Sequence, residues 1–315
     1  MSEKITAIGH ITKDKAYPED VIGGGVSYSM EAINRFGLKG AIITKIPEGH
    51  RFIQDLQAHG ISVITLPTNS DEITTFRNDY DDNKNRTQTV SARQESITLT
   101  DISSLSNEQL DSSWILVAPV ISEVETNVIP KLAEHGLVAV TPQGYFRETG
   151  DNGVIFQKEW SGFEHDLSFA AVTILSNDDI AIGGILNEGL LNRLATSSRS
   201  LILTKGEKGS DFYENGEKVF SVSAFHLDPS EIKDLTGAGD TFAAAYLAKY
   251  LKTKSAYESA VFASLVAAIK IMAISGRGID SIPTKEQIEE FVLANQNRVK
   301  EFLVQNQIEN LDLTI

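Results

Sequence analysis

Short apolar, β-branched runs alternate with helix-patterned stretches along most of this chain, and that alternation narrows the available folds more than any other feature. Ile5-Thr6-Ala7-Ile8-Gly9-His10 reads as a buried first strand. Gly23-Gly24-Gly25 leads into a helical pattern from Ser27 to Phe36, with apolar spacing at Met30, Ile33 and Phe36 and Gly37 as its stop. Ala41 to Ile46 returns as a strand, residues 52 to 59 are helical, Gly60 punctuates, and Ser62 to Leu66 is strand again. Strands joined through helices predict a parallel sheet covered on both faces, an α/β fold of the doubly wound, three-layer αβα kind.

The alternation resumes later. Residues 114–118, 137–140, 171–175 and 200–204 read as strands, and Glu123 to His135 as a helix. Asp211 to Val222 predicts a hairpin turning at Asn215-Gly216, and Ala256 to Ile274 and Lys285 to Val304 predict helices. Between Asp71 and Thr98 the texture changes to two β-prone runs around the turn-rich Asp81-Asp82-Asn83-Lys84-Asn85. That stretch predicts an antiparallel ribbon projecting from one edge as a lid, with 13–22 a further contributor. No repeat, linker or low-complexity run divides residues 1–315, so the chain reads as a single domain plus lid.

The net charge of −15 sets the average field against nucleic acid and anionic membranes. Any polyanionic ligand would have to bind where backbone N–H groups and local cations outweigh that field. There is no cysteine, which removes disulfides and thiolate chemistry. No signal-peptide core follows Met1, and the apolar run 260–274 is too short to span a bilayer, which together point to a cytoplasmic protein. A Walker-type P-loop, protein-kinase signatures, a nucleophile elbow and zinc-ligand spacing among the six histidines are all absent.

The chemistry concentrates in Asp234-Leu235-Thr236-Gly237-Ala238-Gly239-Asp240-Thr241-Phe242, which runs into Ala-rich helical sequence. Two glycines around an alanine permit a tight turn, and the helix start adds unpaired N–H groups and the positive end of its dipole. Such a place suits a phosphate or a developing oxyanion, with Asp240 set to take a proton from an attacking hydroxyl. Taken alone, Gly-Ala-Gly-Asp also describes an ordinary helix start with a first-turn acid. The whole nonamer resembles the C-terminal signature of the ribokinase/pfkB carbohydrate-kinase family. In that family the final aspartate is the catalytic base and Gly-Ala-Gly the anion hole, which implies those roles for Asp240 and for Gly237, Ala238 and Gly239.

The resemblance extends, more loosely, to other stretches. Asp14 corresponds to an aspartate that binds acceptor hydroxyls, and Gly23 and Gly24 to the family's N-terminal double glycine. Tyr28 stands where the commonest members have an asparagine; it lacks an amide's hydrogen bonds, which argues against ribose and resembles the myo-inositol-kinase-like branch. In the lid, Phe76, Asn78, Tyr80, Arg86 and Gln88 are candidates to close over a sugar or cyclitol, and each is equally compatible with ordinary cross-strand pairing. Gln143 and Arg147, in Pro142-Gln143-Gly144-Tyr145-Phe146-Arg147, are further substrate-pocket candidates. Leu175-Ser176-Asn177-Asp178-Asp179 occupies the place of the family's Asn-x-x-Glu motif, which implies that Asp179 orders Mg²⁺ through water, with Asn177 or Asp178 as alternatives in register. Thr204, Lys205, Gly206 and Gly209 resemble the Thr-x-Gly-x-x-Gly turn at the ATP site, and Ala263, Ala267 and Gly276 fall where the family's adenine pocket lies.

These readings imply a ribokinase-like kinase, with ATP and Mg²⁺, acting on a hydroxyl of a small polyol such as a sugar or inositol. A nucleoside kinase and a non-catalytic ligand sensor on the same fold are the alternatives. Monovalent-cation activation and the choice between a monomer and a homodimer through the lid edge are left open.

Overall fold

The computed structural model describes residues 3–15, 20–80, 86–274, 276, 278–309 and 311–313, with backbone alone for 78–80 and 86. Its centre is a nine-stranded sheet. From one edge to the other the strands are Glu217–Val222, Ser210–Glu214, Ser200–Thr204, Val172–Ser176, Leu137–Val140, Trp114–Val117, Lys4–Ile8, Lys39–Thr44 and Ser62–Thr65. The last seven run parallel, and the hairpin turning at Asn215-Gly216 adds two antiparallel strands at one edge. From Lys4–Ile8 the chain builds toward one edge, then returns to Trp114–Val117 and builds toward the other. The switch between these directions opens a crevice beyond the carboxyl ends of Lys4–Ile8 and Trp114–Val117.

Period-two burial divides the core into two layers. Ile5, Ile42, Leu116, Ala139 and Ile202 face one layer of helices, whereas Ile8, Ile43, Ile115, Val138 and Leu201 face the other. The first layer includes the helices Gly25–Arg35, Ala238–Thr253 and Ala256–Ile271. The last two pack closely because Ala243, Ala244, Ala248, Ala260 and Ala263 are all fully or almost fully buried and present no bulk. Ala263 is therefore core packing and does not reach the predicted adenine pocket.

A second sheet of four strands stands beside the first, in the order Val21–Gly23, Thr12–Lys15, Thr75–Tyr80, Arg86–Ala92. It joins residues of the 13–22 and 71–98 stretches: Asp14 pairs in parallel with Phe76, and Asn78 pairs antiparallel with Gln88. Residues 16–19 and 81–85, and the side chains of Asn78, Tyr80 and Arg86, lie outside the described residues.

Two helical expectations change. The stretch from Glu123 to His135 is helical only over Val128–Leu132. Glu123 instead turns its carboxylate back onto the N–H groups of Val120 and Ile121 at 2.8–3.0 Å, with Ser122 at φ 57 between them. That local hydrogen bonding competes with helix formation. The C-terminal stretch is two helices, Lys285–Ala294 and Gln296–Gln305, parted at Asn295, whose side chain bonds Phe291 O at 2.9 Å.

Candidate active site

Two helix N-termini converge at the switch-point crevice. Gly237, at φ 77, turns the chain into the helix Ala238–Thr253, and Gly24, at φ 92, starts the helix Gly25–Arg35. Each glycine supplies a backbone conformation that other residues adopt only with strain. The ring of Tyr28 lies over Gly237 where a Cβ would stand, so that position is closed to larger residues twice over. The Ser29 hydroxyl donates to Asp240 O at 3.2 Å and locks the two helices together.

Between these helix starts lies a cavity of about 1210 Å³ that Asp240, Gly237, Ala238 and Gly239 all line. A Cβ on Gly25 would stand 2.7 Å from Asp240 Oδ1, so the bare Cα of Gly25 is what admits the carboxylate. Burial, and next the charge of Asp179, raise the Asp240 carboxyl to about 6, while Arg147 and Lys270 oppose the rise.

The part of the cavity beside the four-stranded sheet, one arm of it, carries Asp14, Gly24, Tyr28 and Gln88, and Gln143 and Arg147 also line the cavity after the strand Leu137–Val140. Gly23 does not line it; its missing side chain leaves the room that the Asp14 carboxyl occupies. Phe156, half exposed at the rim, is an aromatic that no sequence pattern marks. The opposite arm carries Thr204, Gly206, Gly209, Ala267 and an apolar wall of Phe225, Leu227 and Ile271. Besides Ala263, two expected residues of this arm are elsewhere. Lys205 turns to Asp211, with Nζ 2.7 Å from Oδ1, and Lys208 lines the cavity in its place. Gly276 packs against Asp280 and does not line the cavity. Ser275 and Arg277 lie outside the described residues.

Asp179 sits between the arms. Ser176 caps the short helix Asn177–Ile180, Asp179 Oδ2 accepts the Ser176 N–H at 2.8 Å, and Oδ1 accepts Gln143 Nε2 at 3.1 Å. Burial raises its carboxyl from its ordinary value, against the hydrogen bond from Ser176 and the charge of Arg147. With both oxygens engaged, this carboxylate suits a contact to a hydrated ion through water better than direct ligation. No group of three His, Asp or Glu side chains able to hold a bare metal occurs among the described residues. No helix among them is long and apolar enough to cross a membrane.

Comparison with known proteins agrees with this fold. Residues 185–284, which include the nonamer, match the profile described as "pfkB family carbohydrate kinase". The ribokinase of Bacillus subtilis (strain 168) is 30% identical over 99 residues, which is 31% of this chain and 32% of that protein, so the alignment spans about a third of the relative's length. Among solved structures, a pyrophosphate-dependent kinase of the ribokinase family, complexed with a pyrophosphate analog and myo-inositol, superposes with a TM-score of 0.73 at 21% identity, covering 91% of this chain and 99% of that one. The ribokinase of Thermotoga maritima gives 0.69 at 18% identity, over 92% and 99% of the two chains. The Arabidopsis thaliana ribokinase complexed with ribose and ATP gives 0.66 at 15%, over 93% and 99%. Residues 185–284 thus match the pfkB carbohydrate-kinase family model, and the chain that carries them has the ribokinase fold.

Proposed function

We propose that this chain is an ATP-dependent phosphotransferase that phosphorylates a hydroxyl of a small polyol, a sugar or a cyclitol. One observation carries the reading: a carboxylate with a raised proton affinity and the first turn of a buried helix face the same cavity, between two arms of different character. The Asp14 arm offers carboxylate and amide groups to a hydroxylated acceptor. The other arm offers a glycine turn and an apolar wall that fits a nucleobase, which favours ATP over inorganic pyrophosphate as donor.

In this reading Asp240 is the general base. The acceptor hydroxyl attacks the terminal phosphorus from the Asp14 side and passes its proton to the Asp240 carboxylate. The phosphorus–oxygen bond to the donor breaks as the bond to the acceptor forms, and ADP leaves. The Gly237 and Gly239 amides stabilise the charge on the transferring group, the Ala238 N–H being held by Leu235 O at 3.2 Å, so most of the catalysis is placement and electrostatics. Asp179 and Asp178 would order the waters of Mg²⁺, which supplies neutralising charge for the donor phosphates when bound. The four-stranded lid keeps out water, the competing acceptor.

A coupled ADP-release assay across sugars, inositols and nucleosides tests this reading. Turnover on a polyol is expected, and Asp240→Asn should cost about 10²–10⁴ in kcat while ATP binding persists. A preference for nucleosides would reassign the acceptor. Silence on every acceptor, with ligand-induced thermal shifts, would make the chain a sensor, and near wild-type activity in the Asn variant would discard Asp240 as base.

A further inference from the structure

Behind the anion cradle lies a charge that the proposed reaction does not use. Lys270, near the end of the helix Ala256–Ile271, has no solvent exposure. Its ammonium donates to Asp234 O at 3.1 Å, to Asp234 Oδ2 at 3.3 Å and to Thr236 O, and lies 5.7 Å from the centre of the Tyr28 ring. The same helix end grips the same turn in the opposite sense, because Ile271 O accepts the N–H groups of Lys233 and Asp234 at 3.0 and 3.1 Å.

A trans peptide points its C=O and its N–H in opposite directions. Holding Thr236 O toward Lys270 therefore turns the Gly237 N–H away from it, on a residue that lines the cavity. We propose that Lys270 is a positioning residue: its ammonium holds the Asp234 and Thr236 carbonyls away from the cavity so that the Gly237 amide faces the transferring phosphoryl group, and it keeps a positive charge beneath that group. Simple pairing with Asp234 does not account for the arrangement, since two of its three partners are main-chain carbonyls of one turn. The inference rests on the kinase reading for its catalytic meaning, but anion binding by the cradle is measurable without turnover.

The test is Lys270→Met, which keeps the length of the side chain and removes its charge. Folding is checked by circular dichroism, affinity for inorganic pyrophosphate by calorimetry, and kcat and KM by ADP release. At least a tenfold loss in both pyrophosphate affinity and kcat is expected, with acceptor KM within twofold of wild type. Ammonium chloride should raise kcat of the variant at least threefold and leave the wild type unchanged. The groups facing Asp240 are Asp179, Arg147 and Lys270, so loss of the lysine charge should also move the acid limb of the pH profile upward. Should the Met variant not fold, Lys270→Gln, which is polar but uncharged and one atom shorter than lysine, takes the same measurements. Pyrophosphate affinity and kcat within threefold of wild type in a folded variant would overturn the assignment, and so would failure of both variants to fold, which would leave Lys270 a purely structural role. A wild type without turnover on any acceptor sinks the kinase reading, while the pyrophosphate arm still decides for or against Lys270.

Discussion

A carboxyl raised to about 6 is still ionised at neutral pH, yet holds a proton more firmly than an exposed aspartate does. Both properties suit a group that must accept a proton during attack. The pH dependence follows with a definite sign. Activity should fall as pH drops through about 6, whereas stability runs the other way. A carboxyl whose folded pKa exceeds its unfolded value favours the folded state below the unfolded pKa, and that contribution is lost as pH rises through the folded one. Asp240→Asn has no such loss, so its stability relative to wild type should improve between pH 4 and pH 8 by about 3 kcal/mol at most. Thermal unfolding of both proteins at several pH values checks this, and a constant offset would contradict it. Asp240 was legible in the sequence because its partners Gly237, Ala238 and Gly239 are its chain neighbours. Lys205 was misread for a local reason: in the short turn over Gly206–Lys208, neighbouring side chains point different ways, and the carboxylate that claims Lys205 comes from Asp211 on the next strand.

The site's shape comes from elements that the sequence keeps far apart. Gly25 and Asp240 are separated by most of the chain, and only the packing of the helices Gly25–Arg35 and Ala238–Thr253 brings them together. Glycine spacing marks Gly25 as a turn residue and says nothing about whose carboxylate it admits. Lys270 is hidden for a similar reason, because in the sequence it is one charge within the apolar run 260–274. Gly25→Ala isolates the effect of the close approach. At a helix start alanine is tolerated, and in a helix it is favoured over glycine by about 0.5–1 kcal/mol, so the variant should fold. Its Cβ, however, would stand 2.7 Å from Asp240 Oδ1, and the carboxylate must shift. Misplacing a reacting group by even a fraction of an ångström is costly, and kcat should fall by about 10- to 100-fold with little change in melting temperature. Unchanged kcat would mean that Asp240 does not need this position.

At the scale of the whole molecule, strand–helix alternation was enough to anticipate the parallel sheet, because hydrophobic periodicity is a local property. It was not enough to find the joint between the sheet and the lid, which is polar, buried and assembled from distant segments. Glu123, with no solvent exposure, accepts the N–H of His10 at 3.2 Å as well as those of Val120 and Ile121. His10, also fully buried, has Nδ1 2.8 Å from Thr74 Oγ1 and Nε2 3.0 Å from Glu95 O. A carbonyl only accepts, so Nε2 carries the proton and Nδ1 accepts from the Thr74 hydroxyl. Burial holds the ring's pKa below its usual value, in keeping with that neutral form. Lid strands and sheet thus meet on a chain of bonds running from Glu123 through His10 to Thr74 and Glu95. Glu123→Gln keeps the shape but turns an amide NH₂ toward backbone donors, leaving one or more of them without an acceptor. Each such buried donor costs about 1–3 kcal/mol, so the variant should melt lower by a corresponding amount. Because the lid strand Thr12–Lys15 carries Asp14 into the acceptor arm, a loosened joint should also raise acceptor KM more than donor KM. Steady-state kinetics with each substrate varied in turn separate the two. A variant that melts lower with both KM values unchanged would show that the joint serves stability alone, and that the lid does not depend on it to place Asp14.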